Sequence, residues 1–178
     1  MSRITRRRFL QTTAAATAAA ATGASLAAPK TAFASPMAGN MKRTLGKTGI
    51  DCSLLGMGTG VRSWNHESAL TKKGRPAFMG VMEHAYNRGV RFLDLADMYG
   101  SHSYAKEALK TFVNRDETMI LTKTVARDAE GVKADLERFR QELDTDVIDV
   151  VLFHCLVEGD WTETMKATMD VMADAKAK

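Results

Sequence analysis

Short apolar runs alternate with longer stretches of helical periodicity along most of this chain. Residues 54–60, L-L-G-M-G-T-G, predict a first core strand that runs into a glycine-rich turn. Residues 90–95, 118–122 and 147–153 predict three more. All are near-continuous apolar runs, as expected of strands covered on both faces. Between them, Phe78, Val81, Met82, Ala85 and Tyr86 recur at helical spacing. Pro76 suits the first turn of that helix and Gly89 the position just past its end. Ala105, Ala108, Leu109, Phe112 and Val113 line a second helix, and Val132, Leu136, Phe139 and Leu143 a third. A last helix is predicted from Asp160, with Glu163 spaced for a capping box and Met165, Met169 and Met172 as its core stripe. Ahead of all these, R-T-L-G-K-T-G-I-D-C-S at 43–53 reads as a hairpin, and 61–74 as a polar loop.

A hairpin followed by β-α-β-α-β-α-β-α predicts a parallel sheet. The units recur at intervals of roughly 30 residues, which fits (β/α)₈ architecture, and a complete barrel needs about 250 residues. Four units are present. The expected fold is α/β: the N-terminal half of a (β/α)₈ TIM barrel behind a β-hairpin, interrupted before the fifth strand and belonging to a longer protein.

Composition separates a leader from the rest. Residues 1–34 hold Arg3, Arg6, Arg7, Arg8 and Lys30 and no acidic residue, whereas the whole chain carries 25 Lys+Arg and 21 Asp+Glu. From Ser35 onward 20 basic residues therefore face 21 acidic ones. The basic excess belongs to the leader, and no nucleic-acid partner is expected of the folded part. T-R-R-R-F-L-Q, followed by a weakly apolar Ala/Thr run, resembles a twin-arginine export signal, with a small-x-small cleavage site at Ala32-Phe33-Ala34. The run is too short and too weakly hydrophobic for a stable membrane span. The expected organisation is a signal peptide at 1–34, a linker at 35–40 and the partial barrel at 41–178. The twin-arginine machinery is then a transient partner and the location periplasmic or otherwise extracytoplasmic. Cys52 and Cys155 are expected at opposite ends of the barrel, too far apart to bridge. No cluster of His and Cys suggests a metal.

The chemistry gathers at strand ends. Asp94, Lys123 and His154 each close an apolar run, and Tyr99 follows Asp94 on the next loop. In a parallel barrel the C-terminal strand ends converge, and neighbouring strands lie about 4.8 Å apart. Each residue alone has an ordinary structural role open to it: a loop cap, a packed ring, a snorkelling amine, a satisfied core imidazole. Together in one βα series they point to a site for proton transfer to a carbonyl. A tyrosine, with its pKa of about 10, is a reluctant acid unless a cation stands beside it.

At these residues the chain resembles the aldo-keto reductase family. The resemblance rests on R-T-L-G-K-T-G, L-G-M-G-T-G, the D-x-A-D-x-Y-G pattern around Asp94 and Tyr99, T-K at Lys123 and I-D-V-V-L-F-H up to His154. It implies hydride transfer from NADP, with NAD not excluded, to a small carbonyl substrate. Tyr99 would be the proton donor, Lys123 its tuner, Asp94 the partner holding Lys123, and His154 the group orienting the carbonyl oxygen. Gly58 and Thr59, with Asp94, would lie beside the cofactor. Asp97 and Asp149 belong to the matched motifs and read as structural. After Gly100 the chain departs from the family's usual Ser-Glu pair, and after His154 from its usual proline; both bear on the substrate pocket. His66, His84 and His102 are expected to be solvated. Trp64 and Trp161 are expected in βα loops, where they could wall a pocket. Two alternatives stand beside the reductase. One is a Schiff-base enzyme using Lys123, and the other a non-catalytic remnant or cofactor-sensing subunit.

Overall fold

The structure, a computed structural model, describes residues 38–177. They fall within one compact unit, Met37–Lys178. The expected signal peptide at 1–34 lies outside the described residues. Strands β1 (Lys42–Thr44) and β2 (Asp51–Ser53) form the antiparallel hairpin. Strands β3 (Met57–Gly58), β4 (Phe92–Asp94), β5 (Met119–Thr124) and β6 (Val150–Phe153) form one parallel sheet in that order. Helices α1 (Arg75–Asn87), α2 (His102–Thr111) and α3 (Ala129–Leu143) link them, and α4 (Trp161–Thr164) and α5 (Lys166–Lys176) follow β6. This is the partial (β/α) barrel expected from the pattern.

The helix starts and stops have local causes. Pro76 sits in the first turn of α1, where its missing N–H costs nothing. Gly89, just past α1, has φ +86°, a conformation that favours glycine. Asp128 caps α3, its carboxylate accepting from the Gly131 N–H at 2.8 Å. Phe78 and Met82 from α1, Ala105 and Ala108 from α2, and Leu143 from α3 bury against Leu93, Leu95 and Ile120 of the sheet. Phe78 stacks on Tyr104 at 4.3 Å between ring centroids, which locks α1 to α2.

Alternation along the strands then assigns the faces. Leu93, Ile120, Thr122 and Thr124 point into the helix layer, where Thr122 meets His102 and Thr124 meets Asp135. Asp94 and Lys123 consequently point the other way, into the barrel interior, and His154 continues the interior face of β6. Register places Asp94 level with Leu121 and Lys123 level with Leu152. Lys123 is therefore one inward position further along than Asp94, and its long side chain reaches back.

Several expectations are corrected. The apolar run 54–60 pairs in the sheet only at Met57–Gly58, and Leu54 and Leu55 are exposed. Their N–H groups donate to Met41 and Gly39, so they prolong the hairpin instead. Val81 faces outward from α1 and Val147 lies exposed ahead of β6. Asp160 makes no side-chain cap, and the last helix breaks at Met165 into α4 and α5. Leu152, Val125 and Val157 are exposed on and beside β6, the strand at one edge of the sheet. Among the described residues no helix is long and apolar enough to cross a membrane.

Candidate active site

The four side chains singled out at the strand ends meet. The Lys123 ammonium donates to Asp94 Oδ1 and to the Leu95 carbonyl at 2.8 Å. It also lies 4.9 Å from the centroid of the Tyr99 ring. Tyr99 packs edge-on against His154, with ring centroids 5.4 Å apart. Lys123 is mostly enclosed and its amine is committed to two acceptors, unlike the free amine a Schiff-base nucleophile needs.

Tyr99 reaches this spot because of two glycines and a turn. Residues Asp97–Tyr99 form a single 3₁₀ turn closed by Gly100 in the left-handed region, φ +63°. At Gly100 a Cβ would collide with the His66 carbonyl, so the turn packs directly on the β3–α1 loop. A Cβ on Gly60 would lie 2.5 Å from Tyr99 Cε1 and Cε2. Gly60 is the seat of the phenol ring.

His154 comes from the end of β6, its N–H donating to the Thr124 carbonyl at 2.8 Å. Arg127 grips the same bend, donating to the His154 carbonyl at 2.6 Å. The Nδ1 of His154 is buried without a partner, whereas Nε2 is not enclosed. Burial, and then the Lys123 and Arg127 cations, hold this imidazole below its ordinary pKa against the pull of Asp94 and Asp97. At neutral pH it is therefore an uncharged ring able to donate one hydrogen bond.

The proposed cofactor residues differ in what they offer. Gly58 is exposed at the end of β3, and a Cβ there would stand 4.0 Å from Asp94 Oδ2. The absent side chain leaves an open shelf beside the carboxylate, which suits the edge of a flat ring. Thr59 is fully buried. Its N–H donates to the Asp94 carbonyl at 3.1 Å, and its hydroxyl binds that carbonyl at 2.9 Å and Ser101 Oγ at 3.0 Å. Thr59 props the end of β4 and has no hydroxyl to spare for a ligand.

Asp97 and Asp149 do structural work. Asp149 accepts from Arg115 at 2.9 Å and from the Ile120 N–H at 2.7 Å, joining β6 to β5. Asp97 is buried and takes a two-pronged ion pair from Arg138 of α3. Burial pushes its carboxyl up, but the hydrogen bond and charge of Arg138, aided by His66 and His102, more than reverse this and hold it below the usual carboxylate range. His102 corrects the expectation of a solvated imidazole: it is buried, bonded to Thr122 Oγ1 at 2.8 Å and to Glu142 at 2.6 Å. His66 is also engaged, its Nδ1 lying 3.0 Å from the Asp97 carbonyl. Trp64 is highly exposed on its loop, and Trp161 opens α4 instead of lying in a loop. Cys52 is buried, Cys155 is exposed, and both are free. No metal-binding group of side chains occurs among the described residues. Arg127 and Arg138 were missed in the sequence: each looks like one more surface charge beside an acidic neighbour, Asp128 and Glu137.

A parallel half-barrel carrying Asp, Tyr, Lys and His at the C-terminal ends of its strands belongs to the barrel class in which that rim bears the functional groups. The model of the Aldo/keto reductase family matches residues 55–178, and the chain belongs to that family of oxidoreductases. Among solved structures it is similar to a candidate aldo-keto reductase of Pseudomonas aeruginosa, at 21% identity and TM-score 0.65, covering 79% of this chain and 56% of that one. An aldo-keto reductase of Bacillus halodurans, in its holo form, matches at 21% identity and TM-score 0.57, covering 75% and 47%. A thermostable aldo-keto reductase in complex with the inhibitor epalrestat matches at 25% identity and TM-score 0.58, covering 75% and 50%. The chain thus spans roughly half the length of these structures. Curated proteins yield no match.

Proposed function

We propose that this chain supplies the proton-transfer half of a nicotinamide-dependent reductase of aldehydes or ketones, acting in a barrel completed by further strands. The observation that carries this is the contact set Asp94–Lys123–Tyr99–His154 at the inner rim of β4, β5 and β6.

The residues divide the work as follows. Tyr99 gives its hydroxyl proton to the carbonyl oxygen. The Lys123 ammonium beside the ring stabilises the negative charge that develops on the phenol oxygen as the proton leaves. Asp94 holds Lys123 in place and keeps the pair neutral overall. His154, uncharged and with Nε2 free, donates a hydrogen bond that orients the carbonyl oxygen toward Tyr99. A reduced nicotinamide, when bound, supplies the hydride for the carbonyl carbon. The residues present fit its ring end: Gly58 and Asp94 would line it, and Thr59 supports them from beneath. NADP is the expected form, with NAD as the alternative, since aldo-keto reductases use either.

The twin-arginine leader adds a proposal about place. Export in a folded state suits an oxidoreductase that must carry its cofactor with it, and puts the activity outside the cytoplasm.

The test is an absorbance assay of the full-length protein with NADPH or NADH against a panel of aldehydes and ketones. Carbonyl-dependent cofactor oxidation is expected. Binding of NADPH with no turnover across the panel, in either direction, would favour the cofactor-sensing subunit.

A further inference from the structure

Among the described residues Tyr99 makes no hydrogen bond through its side chain; its ring is placed by the turn that carries it and by packing against Gly60, Lys123 and His154. That turn begins at Asp97, which is gripped from two sides. From α3, Arg138 Nη1 and Nη2 donate to Asp97 Oδ1 and Oδ2 at 2.8 and 2.9 Å. From the β3–α1 loop, His66 Nδ1 lies 3.0 Å from the Asp97 carbonyl, which also accepts from Gly100 N at 3.3 Å. The Arg138 contact is a parallel fork, the geometry in which guanidinium fixes direction as well as charge. Its other ion-pair partners are Asp135 at 2.6 Å and Glu142 at 2.9 Å, three and four residues away on its own helix, and it also lies 4.8 Å from the centroid of the Phe139 ring. Ion pairs of that kind on a helix face contribute little to stability. The long-range reach of Arg138 is directed at Asp97, 41 residues earlier in the chain.

We infer that Arg138 is a positioning residue for the reaction. Its fork, anchored on α3, fixes the Asp97–Tyr99 turn and so aims the Tyr99 hydroxyl at the strand-end site between Lys123 and His154. The inference builds on the role of Tyr99 as proton donor. Arg138 touches neither that ring nor the reacting atoms, so it acts through Asp97. With the fork gone, Gly60, Lys123 and His154 still bound the space for the ring, but the turn that sets its tilt is held only by His66 and its own backbone hydrogen bonds. A lysine at 138 keeps the cation facing Asp97, Asp135 and Glu142 yet cannot form the two parallel bonds.

The experiment compares Arg138→Lys, Asp97→Asn and Tyr99→Phe in the full-length protein with NADPH and the best carbonyl substrate from the panel. It reads kcat, KM, the solvent deuterium isotope effect on kcat, and Tm. Arg138→Lys and Asp97→Asn are each expected to fold. Each should lower kcat by about 10- to 100-fold with KM changed less than about threefold, the scale of a reacting group displaced by an ångström or less. The solvent isotope effect should rise, because proton delivery becomes more rate-limiting; a role confined to stability would leave it unmoved. If Arg138→Lys does not fold, Asp97→Asn decides the matter, since it keeps the side-chain shape and the pairs within α3. Wild-type kcat and isotope effect in a folded variant, alongside a severely impaired Tyr99→Phe, would overturn the inference while leaving Tyr99 as donor. Unimpaired Tyr99→Phe would overturn the donor assignment itself, and the inference with it.

Discussion

Gly60→Ala is a sharp probe of how Tyr99 is placed. The added methyl would lie 2.5 Å from two carbons of the phenol ring, where ordinary contact begins at 3.4 Å. The ring must therefore retreat by about 1 Å or tilt by an equivalent amount. Gly60 is not among the residues with positive φ, so alanine brings no backbone strain, and the nearest atoms its methyl meets belong to the Tyr99 ring. The ring's contacts with Lys123 and His154 both change when it moves. A displacement of about 1 Å at a reacting group can cost roughly 10²-fold in rate, equivalent to about 3 kcal/mol of barrier. Gly56→Ala is the matched control. Its methyl would meet the Phe92 ring at 2.7 Å, at the far end of the same pair of strands. That overpacking should cost about 1–3 kcal/mol of stability with little change in turnover. The assay is steady-state reduction of the best carbonyl substrate by NADPH in the full-length protein, with thermal melts in parallel. Gly60→Ala should keep its fold and its cofactor affinity while kcat falls about 100-fold. A folded Gly60→Ala enzyme with kcat within twofold of wild type would refute the placement of the ring over Gly60.

Three further outcomes are expected. His102 is held below the ordinary imidazole pKa by burial, against the pull of Glu142 and Asp97. The unfolded chain takes up that proton near pH 6.5, so the associated stability is intact above that pH and is lost as pH falls below it. The drop in Tm between pH 7 and 5 should be smaller in His102→Gln than in wild type, and equal drops would contradict this. Residues 41–178 alone leave an apolar β6 edge exposed, and should self-associate and show no NADPH-dependent reduction; a monomer with sharp near-UV circular dichroism and micromolar NADPH affinity would contradict that. Replacing Arg6 and Arg7 together by lysine should retain the precursor in the cytoplasm, and an exported mature form in that variant would remove the twin-arginine assignment.

Much of the fold was legible because the barrel repeats one simple signal, an apolar run and then a helical stripe. The failures occur where that signal is shared between two structures. Leu54 and Leu55 read as strand because they are apolar and precede Met57, but their N–H groups extend the hairpin toward Met41 and Gly39. Val147 reads as strand too, yet its carbonyl is taken by Arg115 and Thr145, which hold the chain outside the sheet until β6 begins. In the site, Asp94, Lys123 and His154 could be found because a polar residue ending an apolar strand is conspicuous. Tyr99 stood out through its spacing from Asp94. His102 was obscured by its polar neighbours Ser101 and Ser103, although it lies three residues before Ala105 and so on the buried face of α2. Arg138 carried no local sign of its role, since its partner Asp97 lies on another element and only the packing of α3 against α2 and the sheet brings them together.

The central claim is that Tyr99 hands the proton to the carbonyl oxygen. Tyr99→Phe removes only the hydroxyl and keeps the ring that packs on Gly60 and His154. Measured in the full-length protein, kcat should fall by about 10²- to 10⁴-fold, as for loss of a general acid, while NADPH affinity by fluorescence titration stays within about twofold. Turnover close to wild type in Tyr99→Phe would contradict the account.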